Sequence, residues 1–326
     1  MAYRHIPVML DEVLEHLQCA PGRIIVDGTL GGCGHALPIL ERILPDGLLI
    51  GVDQDPAAIA NAATVFAGRE QNVRLFHDNY SNLPSILASA DIAGVDGIVL
   101  DLGLSLYQLE SSGRGFSFTR DEPLDMRMDT DAETTAGDLI HRAEKSELAR
   151  IFRQYGEERW ANQIAGAIDR RRRRETIRTA RELAALVGEA IPKRAAARSR
   201  IHPATRVFMA LRIAVNRELE RLESFMDAAP RLLNPGGRLC VLSFHSLEDR
   251  IVKHRLRQHA STCTCPPGLP VCTCNQQPQL RIRTPKPAVP SPAEVRANPM
   301  ARSTRLRAAE KLKWPEEIGK PKPPRG

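Results

Sequence analysis

The chain has 326 residues, with 46 Lys and Arg against 39 Asp and Glu and a formal net charge of +7. That length leaves room for two domains with separate cores. Asp, Glu, Arg or Pro breaks every apolar run short of a bilayer span, which argues against a membrane-spanning protein. The cationic excess favours polyanionic partners without selecting one. The start, Met1-Ala2-Tyr3-Arg4-His5, has no secretory apolar core, so a cytoplasmic location is expected.

A first strand, Ile24-Ile25-Val26, ends at Asp27 and breaks into Gly28-Thr29-Leu30-Gly31-Gly32-Cys33-Gly34-His35. Four glycines in so short a loop let the backbone turn sharply and approach a ligand. A second strand, Leu48-Leu49-Ile50-Gly51-Val52, ends at Asp53, and Asp55-Pro56 reads as the cap and first residue of a helix. A third strand covers 73–76, and a fourth, Ile98-Val99-Leu100, ends at Asp101. Fully apolar strands separated by helices predict a doubly wound, mostly parallel, Rossmann-like α/β sheet.

From 109 to 206 the rhythm changes to polar, Arg-rich, helical sequence. So long a stretch cannot be a bare loop, and it reads as an inserted helical domain. An amphipathic helix from about Arg206 returns through Pro235-Gly236-Gly237 to a fifth strand, 239–244. The expected division is 1–108 for the first part of the sheet domain, 109–206 for the insert, and 207–326 for the second part with a Cys- and Pro-rich end. An edge strand is expected at 304–308.

Asp53 lies roughly twenty residues past the glycine turn, where doubly wound folds place a carboxylate on ribose hydroxyls. Either a dinucleotide or S-adenosylmethionine satisfies that geometry. The window Gly32-Cys33-Gly34-His35-Ala36-Leu37 lacks the third glycine of G-x-G-x-x-G, and an acid at Asp27 is more usual in methyltransferases. A nicotinamide-dependent dehydrogenase is the competing enzyme reading. A basic RNA-binding or ribosome-assembly factor is the non-enzyme one, but it leaves the glycine turn without a purpose. After the third strand, Asp78 is a candidate acceptor for an adenine amino group, and Tyr80 either lies on the ring or packs in the core. Asp101 ends a strand where open α/β sheets bind ligands, with helix capping as the alternative. Leu102-Gly103 stands where amino-group methyltransferases often carry Pro-Pro. His245, Glu248 and Asp249 follow the fifth strand; base handling and capping around Ser246 explain them equally.

Arg170, Arg171, Arg172, Arg173 and Arg174 form an unbroken run, read either as a solvated helix face or as phosphate contacts on RNA that add affinity without reading sequence. Lys193, Arg194, Arg198 and Arg200 extend the patch. Cys263-Thr264-Cys265 and Cys272-Thr273-Cys274 are two C-x-C pairs across a Pro-Gly turn. Four thiolates can bind zinc tetrahedrally, but the usual spacing is C-x-x-C, and free thiols are the competing assignment. A disulfide is disfavoured in a reducing cytoplasm. Cys19 and Cys240 read as ordinary buried thiols.

Several strings point to one family. They are Arg4-His5-Ile6-Pro7-Val8-Met9-Leu10-Asp11-Glu12, the 27–35 loop, Arg114-Gly115-Phe116-Ser117-Phe118, Pro123-Leu124-Asp125-Met126-Arg127-Met128, His202-Pro203-Ala204-Thr205-Arg206 and Ser243-Phe244-His245-Ser246-Leu247-Glu248-Asp249-Arg250. Over about 3–312 the chain closely resembles the bacterial small-subunit ribosomal RNA cytosine-N4 methyltransferases of the MraW type. The resemblance implies S-adenosylmethionine as methyl donor, a decoding-region cytosine in small-subunit rRNA or an assembled subunit as target, and RNA recognition by the insert. It suggests a homodimer, with the oligomeric state left open. It carries cofactor contacts onto Cys33, Gly34, His35, Asp53, Tyr80, Asp101 and Gln108, with Asp101 the catalytic candidate. Two positions depart from the family: Cys33 replaces its usual Gly, and Leu106-Tyr107 replaces Ser-Pro ahead of Gln108.

Overall fold

The computed structural model describes residues 7–192, 194, 201–263, 265, 274 and 276–313. In chain order its main elements are α1 (Leu10–Leu17), β1 (Ile24–Asp27), α2 (Ala36–Ile43), β2 (Leu48–Asp53), α3 (Pro56–Val65), β3 (Val73–His77), α4 (Leu83–Ser89), β4 (Val95–Asp101) and α5 (Leu106–Glu110). Then come α6 (Ala136–Arg142), α7 (Lys145–Gln154), α8 (Ala161–Arg172), α9 (Ala180–Ala190), α10 (Thr205–Asn216) and α11 (Glu218–Leu232). The chain continues with β5 (Leu233–Ser243), α12 (Ser246–Ala260), β6 (Leu280–Ile282), α13 (Pro292–Ala297) and β7 (Arg305–Lys311).

The described strands form one sheet in the order β3-β2-β1-β4-β5-β7-β6. The first five run parallel, and β7 is antiparallel to both β5 and β6. The expected edge strand is therefore interior: β7 is paired on both sides, and the short β6 forms the edge. Strand order reverses between β1 and β4, the place where open α/β sheets leave a crevice beyond their carboxyl ends.

Continuous apolar strands follow from burial on both faces. Ile25, Val99, Cys240 and Leu242 face one core with α1 and α2 residues such as Leu17 and Ile39. Val26, Ile98, Leu100, Leu239 and Val241 face the other with Leu83, Phe225 and Val252. Successive strand residues alternate between these cores, as the two-residue period of a strand requires. Asp55 caps α3 by accepting from the Ala57 N–H, with Pro56 at the first helical position, as expected.

The chain divides into two compact units. One comprises the described residues of His5–Gly103 and Arg221–Gly326; the other includes Leu104–Glu220. The helical unit thus begins before 109 and continues past 206. The reason lies in α10 and α11. The single amphipathic helix expected from Arg206 is instead two helices, broken at Arg217, whose φ of 51° ends α10 in a left-handed cap. Val207, Phe208, Ala210 and Leu211 of α10 enter the helical unit's own core with Phe152, Ile164 and Leu183. Within that unit Arg114 donates to the Arg127 and Met128 carbonyls, and Asn216 donates to the Met126 carbonyl and accepts from the Met128 N–H. Asp125 pairs with Arg127 through two nitrogens. Several of the family-like strings therefore serve to fasten loops.

Candidate active site

The turn after β1 is held by backbone contacts that a side chain would obstruct. A Cβ at Gly28 would lie 2.5 Å from Leu100 Cδ2, and Gly31 has a φ of 45°. Cys33 also sits at positive φ, 63°, with its side chain buried in the apolar core. Its N–H donates to the Leu30 carbonyl at 2.7 Å. A glycine would hold this conformation without strain, which accounts for the Gly usual at this position in the family the chain resembles. Cys33 therefore offers the turn only backbone, and burial pushes its thiol up to about 12.

Three strand ends deliver carboxylates to this turn. Asp53, at the end of β2, accepts from the Gly31 N–H at 2.8 Å and the Asp55 N–H at 2.8 Å. Asp27, at the end of β1, accepts from the Thr29 N–H at 3.1 Å. Asp101, at the end of β4, donates its backbone N–H to Thr29 Oγ1 at 2.6 Å. His35 Nε2 lies 3.0 Å from the Val8 carbonyl, which can only accept, so this nitrogen carries a proton. Its Nδ1 lies 3.6 Å from Asp101 Oδ2.

This crowding has an electrostatic consequence. Burial pushes the Asp27 carboxyl up to about 6; His35 and the Thr29 N–H oppose the shift, while Asp101 and Asp53 add to it. Asp53 is also pushed up to about 6, chiefly by burial, against the Asp55 and Gly31 N–H groups. Three carboxylates thus gather at the turn with one imidazole beside them. A cationic ligand is what such a site can accept, and S-adenosylmethionine carries both a sulfonium and an ammonium. The residues present fit it.

The remaining candidates divide. Tyr80 is buried and meets Phe225 edge-on at 5.7 Å, which fixes its ring beside the turn. Asp78 shapes its own turn, accepting from the Asn79 N–H and from Asn82 Nδ2. Gln108 lies in the helical unit, where its side-chain oxygen accepts from the Ser105 N–H and closes a capping box on α5. His245, not Ser246, is the N-cap of α12, with Glu248 accepting from the Phe244 and His245 N–H groups. Asp249 is buried against Arg307 and Arg305, which hold its carboxyl below the usual range despite its desolvation. These three residues thus complete a cap and an ion-pair network. Thr29, whose hydroxyl ties the turn to Asp101, was not singled out from sequence; its position inside the glycine loop was the available signal.

In the helical unit, Arg170, Arg171 and Arg174 line a cavity of about 380 Å³ with Glu175 and Glu189. Arg170 also lines a second cavity of about 580 Å³ with Lys145, Asn162 and Gln163. Arg172 has a different role: its guanidinium donates to the Ile140, His141 and Ala143 carbonyls at the end of α6 and pairs with Asp169. It is excluded from the phosphate-contact candidates because it is already engaged as a cap. Arg173 pairs with Asp169 while remaining exposed. Arg194 is exposed; Lys193, Arg198 and Arg200 lie outside the described residues. Cys263, Cys265 and Cys274 converge, and Cys272 lies outside the described residues. Cys240 is fully buried and Cys19 partly so. No helix among the described residues is long and apolar enough to cross a membrane.

Comparison with known proteins adds an independent line. The family described as MraW methylase matches residues 2–312. A protein named Ribosomal RNA small subunit methyltransferase H in Desulfosudis oleivorans is 54% identical over 312 residues, covering 96% of this chain and 100% of its own. Its namesake in Desulforapulum autotrophicum is 53% identical over 309 residues, covering 95% of this chain and 99% of its own. Another, in Geobacter sulfurreducens, is 52% identical over 312 residues, covering 96% and 100%.

Proposed function

The chain belongs to the MraW methylase family, and on that premise we propose that it methylates the N4 amino group of a cytosine in the decoding region of small-subunit ribosomal RNA, with S-adenosylmethionine as donor. The observation that carries this reading is the convergence of Asp27, Asp53 and Asp101 on one glycine turn at the sheet's switch point. The three end neighbouring parallel strands in a cationic ligand's natural crevice.

The bound donor supplies an electrophilic methyl group. Asp53 would accept hydrogen bonds from the ribose hydroxyls, its carboxylate held in place by the Gly31 and Asp55 N–H groups. The open backbone at Gly31, Gly32 and Gly34 admits the methionine portion, and Asp27 and Asp101 offset its positive charge. Cytosine N4 is a weak nucleophile because its lone pair is delocalised into the ring, so positioning and charge stabilisation carry the reaction. Asp101 accepts a hydrogen bond from the amino group and stabilises the charge that develops on nitrogen. Attack by the N4 lone pair would take the methyl group as the donor's S–C bond breaks to a neutral thioether, and the proton released from nitrogen would pass to solvent. His35 holds the Asp101 side of the turn through its bond to the Val8 carbonyl.

The target base must be unpaired or flipped for N4 to be reached. Arg170, Arg171 and Arg174 supply phosphate contacts on the helical unit, with no base reading required of them. The test is methyl transfer from labelled donor to small subunits, and to their free RNA, prepared from a strain lacking the activity. Mass spectrometry of nuclease fragments then locates the added methyl. A single cytosine fragment gaining one methyl on its exocyclic nitrogen is expected. A methyl on carbon, on ribose or on another base would overturn the assignment of N4.

A further inference from the structure

The connection from α12 to the edge strand β6 contains a cluster of thiols with no part in the site above. Cys263, Cys265 and Cys274 each direct one sulfur to a common point, and the three Sγ atoms lie within 4.8 Å of one another. Cys274 and Cys263 are 3.9 Å apart, sulfur to sulfur. A tetrahedral zinc thiolate, with Zn–S about 2.3 Å, has S···S edges of about 3.8 Å. A disulfide requires about 2.05 Å. The observed spacing excludes a disulfide and matches the edge of a tetrahedral thiolate site.

Local backbone supports the same arrangement. The Cys265 N–H points at Cys263 Sγ at 3.4 Å, a contact that stabilises charge on a thiolate. The Cys263 N–H donates to Ser261 Oγ at 3.2 Å, and that hydroxyl donates back to the Cys263 carbonyl. The end of the connection nearest β6 is anchored back on α12: the Gln279 N–H donates to the His259 carbonyl at 2.7 Å, and Gln276 Nε2 to the Gln258 carbonyl at 3.1 Å. Residues far apart in the connection are therefore brought together by ties outside the thiol cluster.

We propose that Cys263, Cys265 and Cys274 hold a structural zinc ion that closes the connection between α12 and β6. Soft thiolates select zinc over the hard cations, and tetrahedral coordination leaves one further position for a fourth donor. The ion fastens the approach to the sheet edge and takes no part in methyl transfer. Its free energy of binding adds to that of folding, because the ligands are not assembled in the unfolded chain.

Full-length protein, purified without chelator or added metal, is expected to carry about one zinc per chain by elemental mass spectrometry. Cobalt exchanged into the reduced protein is expected to give the intense visible bands of a tetrahedral thiolate site. Cys263→Ser/Cys265→Ser should lose both signals, while Cys19→Ser should keep them. Should the double variant fold poorly, Cys265→Ser alone is expected to distort the cobalt spectrum. Metal-free protein whose reduced form gives no thiolate–cobalt spectrum would overturn the site. So would undiminished zinc in a folded double variant, or a Cys263–Cys274 disulfide in freshly purified protein.

Discussion

The sheet unit and the helical unit each concentrate charge, and they treat it in opposite ways. In the sheet unit Asp27, Asp53 and Asp101 are drawn together at strand ends, and burial raises the first two to about 6. In the helical unit the arginines of 170–174 are mostly exposed, and several already have carboxylate partners: Arg171 with Glu175, and Arg172 and Arg173 with Asp169. Buried, crowded charge is expensive to maintain and signals a ligand of opposite sign. Exposed, paired charge costs little and contributes mainly long-range attraction. The same density of charge thus takes a buried, crowded form in one unit and an exposed, paired form in the other.

The strongest test of this contrast is Asp101→Asn. At saturating donor it should lower the rate of methyl transfer by about 10²-fold, the usual effect of losing one charge-stabilising contact. Full activity at saturating donor would remove Asp101 from catalysis. Next, Asp53→Asn should weaken donor binding by about 10- to 100-fold in calorimetric Kd, because a charged acceptor is replaced by a neutral one. An unchanged Kd would mean that the carboxylate serves only the turn.

The pH dependence follows from the raised carboxyls. Below about 6, Asp27 and Asp53 retain protons in the donor-free protein, and a cationic donor must displace them. Donor affinity should therefore be full above pH 6 and fall below it, by up to about tenfold per pH unit for each proton released. The effect on stability has the opposite sign. A carboxyl raised above its ordinary 3.8 is easiest to hold when protonated, so its cost is absent below pH 4, grows towards 6 and is complete above it. Asp27→Asn should accordingly raise the stability of donor-free protein at pH 7 by about 1–3 kcal/mol, read from denaturant midpoints. A flat affinity profile between pH 5 and 8 would refute the charge account.

Smaller effects separate the arginines. Arg172→Ala should destabilise the helical unit by about 1–3 kcal/mol, because carbonyls at the end of α6 lose their donor. Arg170→Ala with Arg174→Ala should leave Tm nearly unchanged and reduce the salt dependence of RNA binding by about 0.7–0.9 in slope per lost phosphate contact. If Arg172→Ala instead lowers only RNA affinity, the division between cap and contact is wrong. The smallest change is expected for Cys33→Gly. Relief of positive φ and loss of a buried thiol oppose each other, leaving stability within about 1 kcal/mol.

Much of the sheet unit was legible along the chain. Apolar strands such as Leu48–Asp53 stand out because both faces are buried, and Asp27, Asp53 and Asp101 mark where each strand leaves the core. The Asp55-Pro56 helix start was equally local. Elements decided by distant partners were not legible. β7 is interior only because β6, a three-residue strand, pairs with it. The end of α10 at Arg217 depends on a left-handed residue that helix periodicity does not reveal. The packing of Tyr80 against Phe225, far along the chain, is likewise invisible to local sequence.

The order of residues alone determined the parallel strands, the acid at each strand end and the backbone freedom of the turn between Asp27 and His35, because these rest on periodicity and on the absence of side chains. Tertiary structure alone decided which charges are crowded and which are already partnered. It buried Asp27 and set the half-buried Asp53 near it, engaged Arg172 on the end of α6, and gathered Cys263, Cys265 and Cys274. Burial and Coulomb interactions depend on distance in space, which position along the chain does not specify.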